Sequence, residues 1–278
     1  LRKFYLLASI LPLFGCNNFD LTPINVSAKE PSYSQTNTMA TPLANYENYH
    51  ILLLQAIEKS INQPVTESTT RNPIRISPKK QETLLDVTVI NQNPELKYGC
   101  EVTSLAMVLH YAGVKTDKME LYRLIQKEDY PLIRKSNGDI LHWGNPENGF
   151  VGDMTGRLTG TTVYDKPMIH LINQKLPGRA VNLTNQPFEK IEEHVSAGYP
   201  IVVWTTLDYG LPKRWVAWNH GHQVVRVPFD LHAVVLVGYD NNFVYLNDPL
   251  TIKKQVKVEK EQFVSSWKAL GSRAVSYE

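Results

Sequence analysis

Gln92-Asn-Pro-Glu-Leu-Lys-Tyr-Gly-Cys100-Glu-Val-Thr-Ser-Leu-Ala-Met-Val-Leu-His-Tyr-Ala-Gly113 is the stretch around which the rest of the chain can be arranged. Its first part is polar and interrupted by Pro94, so it reads as a loop. From Cys100 onward Val102, Leu105, Ala106, Leu109 and Ala112 recur at the i, i+3, i+4 spacing of a helix buried on one side. Gly113 ends it. A loop thus hands over to a helix at a cysteine preceded by glycine. A thiol there faces unpaired N–H groups and the positive end of the helix dipole, which predicts a lowered pKa. Position alone fits a small core residue equally well.

Working outward, Leu85-Asp-Val-Thr-Val-Ile90 partly alternates and predicts a strand. Helices are predicted over 118–126, 167–174 and 188–197, with a glycine-bearing loop over 138–158. The last third changes period. Pro200-Ile-Val-Val-Trp-Thr-Thr206, His232-Ala-Val-Val-Leu-Val-Gly-Tyr239 and Phe243-Val-Tyr-Leu-Asn247 are runs of β-formers. Asp240-Asn-Asn242 is turn chemistry for a hairpin between the last two. Strands over 252–258 and 273–277 flank a short helix over 260–270. Helices first and an antiparallel sheet after them is an α+β plan.

The other end of the chain reads differently. Arg2 and Lys3 precede an apolar stretch that ends in Leu13-Phe-Gly-Cys16. That layout is a secretory signal over 1–15, too short to span a bilayer as a helix. Its last four residues resemble the lipobox of bacterial lipoproteins, which implies a lipid on Cys16 and an extracytoplasmic domain anchored to the cell membrane. Residues 16–77 are rich in Ser, Thr, Asn, Gln and Pro and read as a polar tether, with one short helical stretch at 49–61. The globular domain is expected over 84–278. The chain has two cysteines, so a lipid on Cys16 would leave Cys100 as a free thiol.

Net charge is +2, with no basic cluster interleaved with aromatics, which argues against nucleic acid as a partner. A polyanion such as cell-wall polymer stays open as a partner, and the lipid would add the membrane. His232 opens an apolar strand and Asp248 lies just past the next one, so a hairpin through 240–242 would bring them near each other. A carboxylate there could hold an imidazole as the third member of a triad does. Taken singly, the histidine fits a structural role and the aspartate a turn. Gln92, in the loop before the cysteine, could donate to an oxyanion or simply be solvated. Asn219-His-Gly-His222 lacks a third ligand nearby and makes a weak metal site. Tyr209 to Trp218 could line a groove or cap the sheet.

The segment from Gln92 to Met107, with His232-Ala-Val-Val-Leu-Val-Gly-Tyr239 and Asn247-Asp-Pro249, resembles cysteine peptidases related to the bacteriocin-processing, double-glycine-leader peptidases. It is most similar to their stand-alone branch. The resemblance implies a papain-like fold, with N-terminal helices packed on an antiparallel sheet and no metal or organic cofactor. It implies Cys100 as nucleophile, His232 as general base, Asp248 as its orienter and Gln92 as oxyanion donor. Glu101 departs from the glycine typical of the leader peptidases. The rival expectation is a catalytically idle lipoprotein that holds a peptide or wall fragment in the same cleft.

Overall fold

The computed structural model describes residues 79–278; the leader, Cys16 and the tether through residue 77 lie outside the described residues. The chain runs β1 (Thr83–Leu84), α1 (Cys100–Tyr111), α2 (Lys118–Leu124), β2 (Lys127–Glu128), β3 (Ile133–Arg134), β4 (Ile140–His142) and β5 (Phe150–Val151). It continues with α3 (Asp165–Lys175), β6 (Ala180–Asn182), α4 (Phe188–Ser196), β7 (Ile201–Thr206), β8 (Trp215–His220) and β9 (Gln223–Pro228). The last elements are β10 (Leu231–Tyr239), β11 (Phe243–Asp248), β12 (Lys253–Glu259), α5 (Lys260–Ala269) and β13 (Ala274–Tyr277).

The main sheet has the order β12-β11-β10-β7-β13-β6, with β1 added to β10, and all its pairings are antiparallel. The α+β plan with early helices on an antiparallel sheet is therefore what the chain adopts. β7 is buried along its whole length and β10 from His232 onward, which is why both read as unbroken apolar runs rather than alternating ones. α1 packs on both of them, and α2 and α3 pack on α1. Every residue from Cys100 to Leu109 is buried. The one-sided helix read from periodicity is thus corrected to one enclosed all round, as the small or apolar residues on its second face permit. Each of Val102, Leu105 and Leu109, fully buried, stabilises the seat by roughly 1.5–3 kcal/mol relative to exposure. Gly113 follows α1 at φ 81°, a left-handed position that costs glycine little.

Three sequence expectations change. Residues 85–90 do not form a strand: pairing with β10 stops at Leu84, because β7 takes the next stretch of that edge from Leu236 onward. The extended segment is held by other groups. Leu85 N–H donates to Val237 O at 2.7 Å, Asn247 Nδ2 to Val87 O at 2.8 Å and Gln255 Nε2 to Leu85 O at 3.3 Å. Asn247 sits where the β11–β12 register slips, and its Oδ1 accepts from Gln255 N at 2.8 Å. β10 carries its own irregularity between Leu236 and Gly238. Gly238 is needed there, since a Cβ would lie 2.5 Å from Thr83 O.

The loop expected over 138–158 contains β4 and β5, and the Trp-bearing segment forms the hairpin β8–β9, which joins β3 and β4 in a second sheet of order β3-β4-β8-β9. Ordered contacts also begin before residue 84. Lys79 Nζ lies 2.5 Å from Glu192 Oε2, Lys80 N–H donates to Ser196 Oγ at 2.8 Å, and Tyr239 OH donates to Lys80 O at 2.8 Å.

Asn247→Ala would leave Val87 O and Gln255 N–H buried without partners, each costing about 1–3 kcal/mol. Urea unfolding should show a loss of about 2 kcal/mol or more. Lys254→Ala, which removes only an exposed pair with Asp86, should stay within about 0.5 kcal/mol.

Candidate active site

Cys100 begins α1 after Gly99, and no side chain caps the helix. The helix is docked beside the start of β10 by Ser104, whose Oγ donates to Ala233 O at 3.2 Å. The Ala233 N–H faces the Cys100 sulfur, as does that of Glu101. The thiol therefore meets the residue that immediately follows His232.

His232 and Asp248 are brought together across the hairpin. Val235 pairs with Asn247, so continuing the register sets Asp248 opposite Val234, and His232 shares the face of Val234 two residues away. The slip between Leu246 and Asp248 on the other side of β11 helps to turn the carboxylate inward. His232 Nε2 lies 2.9 Å from Asp248 Oδ1, and both side chains are buried. An ionised carboxylate only accepts, so Nε2 carries the hydrogen and Nδ1 is the ring nitrogen left over. Nδ1 has no hydrogen-bond partner among the described residues. Asp248 Oδ2 accepts from Tyr209 OH at 2.8 Å, and Oδ1 also accepts from Leu250 N at 2.8 Å. Burial by itself would raise the Asp248 carboxyl; the hydrogen bond and charge of His232, with those N–H and O–H donors, outweigh it and hold the group well below its ordinary range.

Gln92 belongs to the same neighbourhood through its backbone. Its N–H donates to Pro249 O at 3.0 Å, which ties the loop before Cys100 to the residue after Asp248. Its side chain is buried, and Nε2 donates to Lys97 O at 2.9 Å, leaving the second amide hydrogen uncommitted. Gln92 Oε1 has no hydrogen-bond partner among the described residues.

Two contacts were not legible beforehand. Glu101 is wholly buried: Cys100 Sγ lies 3.3 Å from its Oε2, while Thr162 Oγ1 and Val163 N donate to its Oε1. Burial pushes the Glu101 carboxyl up, although these donors oppose the rise. A charged residue at the head of an apolar helix was visible in the sequence, but its partners, Thr162 and Val163, were not. Tyr209, at φ 60° in a turn after β7, entered the sequence reading only as the start of a segment that could line a groove or cap the sheet, not as a partner of Asp248.

The lowered thiol pKa expected of a helix start is corrected. Burial, and then the Glu101 carboxyl, raise Cys100 well above an ordinary thiol, against the pull of the Ala233 and Glu101 N–H groups. With 7% of its surface exposed, Cys100 rests as a neutral thiol. Desolvation beside a second acid outweighs the dipole. Of the two histidines in Asn219-His-Gly-His222, His220 ends β8 with Nδ1 3.2 Å from Trp143 O, and His222 lies in the β8–β9 turn.

This arrangement can be compared with known proteins. An uncharacterised protein of Bacillus subtilis (strain 168), YvpB, is 33% identical over 227 residues, which cover 81% of this chain and 87% of that one. The crystal structure of a Bacillus anthracis protein described as a C39-like peptidase superposes with a TM-score of 0.65 at 38% identity, covering 72% of this chain and 98% of that one. The model of the Peptidase_C39 like family matches residues 84–275, a span that holds Gln92, Cys100, His232 and Asp248. With that match and those relatives, the chain belongs to the Peptidase_C39 like family.

Proposed function

We propose that the protein is a thiol hydrolase that cleaves a peptide or other amide bond, with Cys100 as nucleophile and His232 as its base. The observation that carries this reading is the buried His232–Asp248 pair, which engages Nε2 and leaves Nδ1 as the free ring nitrogen of the residue next to the Ala233 N–H that faces the sulfur. Asp248 orients the ring and stabilises the imidazolium. Gln92, through its free amide hydrogen, and the Cys100 N–H donate to the oxyanion.

Because the resting thiol is neutral, its proton leaves as the attack proceeds. His232 Nδ1 takes it while sulfur bonds to the carbonyl carbon, and the carbonyl oxygen becomes the oxyanion. The intermediate collapses with loss of the C–N bond, and Nδ1–H protonates the departing amine. Water then gives a proton to Nδ1 and attacks the thioester. The C–S bond breaks, the acid product leaves and the thiol is restored.

A specific observation favours a second reading, a catalytically idle binding lipoprotein: the sulfur is nearly covered and is engaged by Glu101. In either reading we propose that the domain acts outside the cytoplasm, held to the membrane by a lipid on Cys16. The support is the leader-like sequence ending in Leu13-Phe-Gly-Cys16. Cys16→Ala should release the protein into the soluble fraction or leave an unprocessed precursor. Unchanged mass and fractionation would remove the anchor from the proposal.

Two measurements bear on the chemistry. Since burial and Glu101 raise the thiol, its thiolate fraction appears only as pH climbs beyond the ordinary value of about 8.5. Iodoacetamide should therefore label Cys100 slowly at neutral pH, with a midpoint above that value. Glu101→Gln removes a like charge and should move the midpoint down; an unmoved midpoint would discard the role given to Glu101.

Turnover of a peptide library should vanish in Cys100→Ala and nearly so in His232→Ala, with a smaller loss in Asp248→Asn. Gln92→Ala should lower kcat by roughly 10²–10³ with little change in KM. A wild-type protein that binds peptide and never turns it over, with Cys100→Ala binding equally well, would hand the site to the binding reading.

A further inference from the structure

A cavity of about 680 Å³ lies between the β8–β9 hairpin and the β3–β4 turn. Three of its lining residues are chain neighbours of the site. Tyr98 stands two residues before Cys100, Leu231 directly precedes His232, and Thr161 directly precedes the Thr162 that bonds Glu101. The cavity therefore borders the chain segments that carry the site residues, with dimensions that suit a few residues of extended chain.

Its walls have a definite chemistry. Trp143 and Trp218 are buried, with ring centroids 5.4 Å apart, and Trp215 is 40% exposed beside them. Arg134, Lys135 and Arg214 also line the space, all exposed. Among the described residues none of the three has a carboxylate partner. Arg134 donates to Gly138 O and Thr159 Oγ1, and the Arg214 guanidinium lies 3.5 Å from the Phe229 ring centroid. Lys213, by contrast, is already paired with Asp208 and does not line the cavity. The acidic residue in the lining, Asp139, is engaged by Asn137 Nδ2 at 2.8 Å. The groove thus presents three cations without a carboxylate partner against one carboxylate, on an aromatic wall.

We infer that this groove selects substrates in which an acidic side chain lies close in sequence to apolar or aromatic ones. The inference rests on the hydrolase reading and names the substrate class of that site. A peptide fits better than an anionic wall polymer, because a polymer of anions alone would leave the tryptophan wall unmatched. Carboxylates meeting Arg134, Lys135 and Arg214 gain little individually at an exposed surface. Acting together, and aided by guanidinium forks that match carboxylate geometry, they can sort peptides of equal size.

The test measures binding, not turnover. Two short fluorescein-labelled peptides rich in Ala, Leu and Tyr, differing only in carrying Glu or Gln, are titrated into the Cys100→Ala protein, and anisotropy is read. The Glu peptide should bind about tenfold tighter at low salt, the combined effect of two or three exposed pairs. That preference should shrink as salt rises. It should disappear in Lys135→Gln combined with Arg214→Gln, whose thermal unfolding is checked against the parent. Trp215→Ala should weaken both peptides alike.

Equal affinity for the two peptides, or a Glu preference that survives loss of both cations, would overturn the inference. So would polyphosphate displacing the Glu peptide at concentrations where poly-glutamate does not. The hydrolase reading fails separately, by absence of turnover in the wild type, and leaves these binding results readable.

Discussion

The seat of α1 on β10 is the contact on which the rest depends. A helix enclosed from Cys100 to Leu109 can occupy one position only, because sliding it by a turn would expose apolar side chains and empty the space they fill. Ser104 adds a directional bond to Ala233 O, so the depth of the helix is set at the point where chemistry is proposed. Two segments far apart in sequence thereby deliver a thiol and an imidazole to one corner. β11 brings the carboxylate to the same corner through a register that β7, on the other side of β10, keeps from drifting.

Much of this was readable because the signals were local. The spacing from Val102 to Ala112 marks α1, and Asp240-Asn-Asn242 marks the hairpin that joins His232 to Asp248. The α+β order followed from the change of period along the chain. The errors came where local pattern competes with partners elsewhere. Residues 85–90 have the composition of a strand, but the edge they would need is taken by β7, and side-chain amides hold them instead. The β8–β9 hairpin was missed because its signals were divided between tryptophans that suggested a groove and histidines that were weighed as a weak metal pair. The thiol pKa was misjudged for a related reason: the dipole of a helix start is visible in sequence, whereas burial beside Glu101 is visible only in three dimensions.

Glu101 changes how the corner is understood. A free thiolate would be attractive to oxidants and to any passing electrophile, and a buried neutral thiol is far less so. The carboxyl also bonds Val163 N, and Trp204 Nε1 donates to Val163 O at 3.1 Å. The carboxyl that holds the thiol is therefore braced against the centre of the sheet. Displacing it means disturbing the loop at 162–163, which lies next to Thr161 in the aromatic groove. Occupation of the groove and release of the thiol thus involve adjacent residues of one loop.

The amide clamp formed by Asn247 and Gln255 has a mechanical side. Any pull on the chain ahead of Lys79 enters the domain at Lys79–Glu192 and Lys80–Ser196, then passes along β1 to residues 85–90. The first of these grips are side-chain contacts that can peel one at a time. Asn247 lies further along the load path, with its amide buried and doubly bonded, before the strain could reach Gln92 and Cys100. The entry region can act as a fuse and the clamp as an anchor bolt: traction would open the rim of the domain while the cleft keeps its shape.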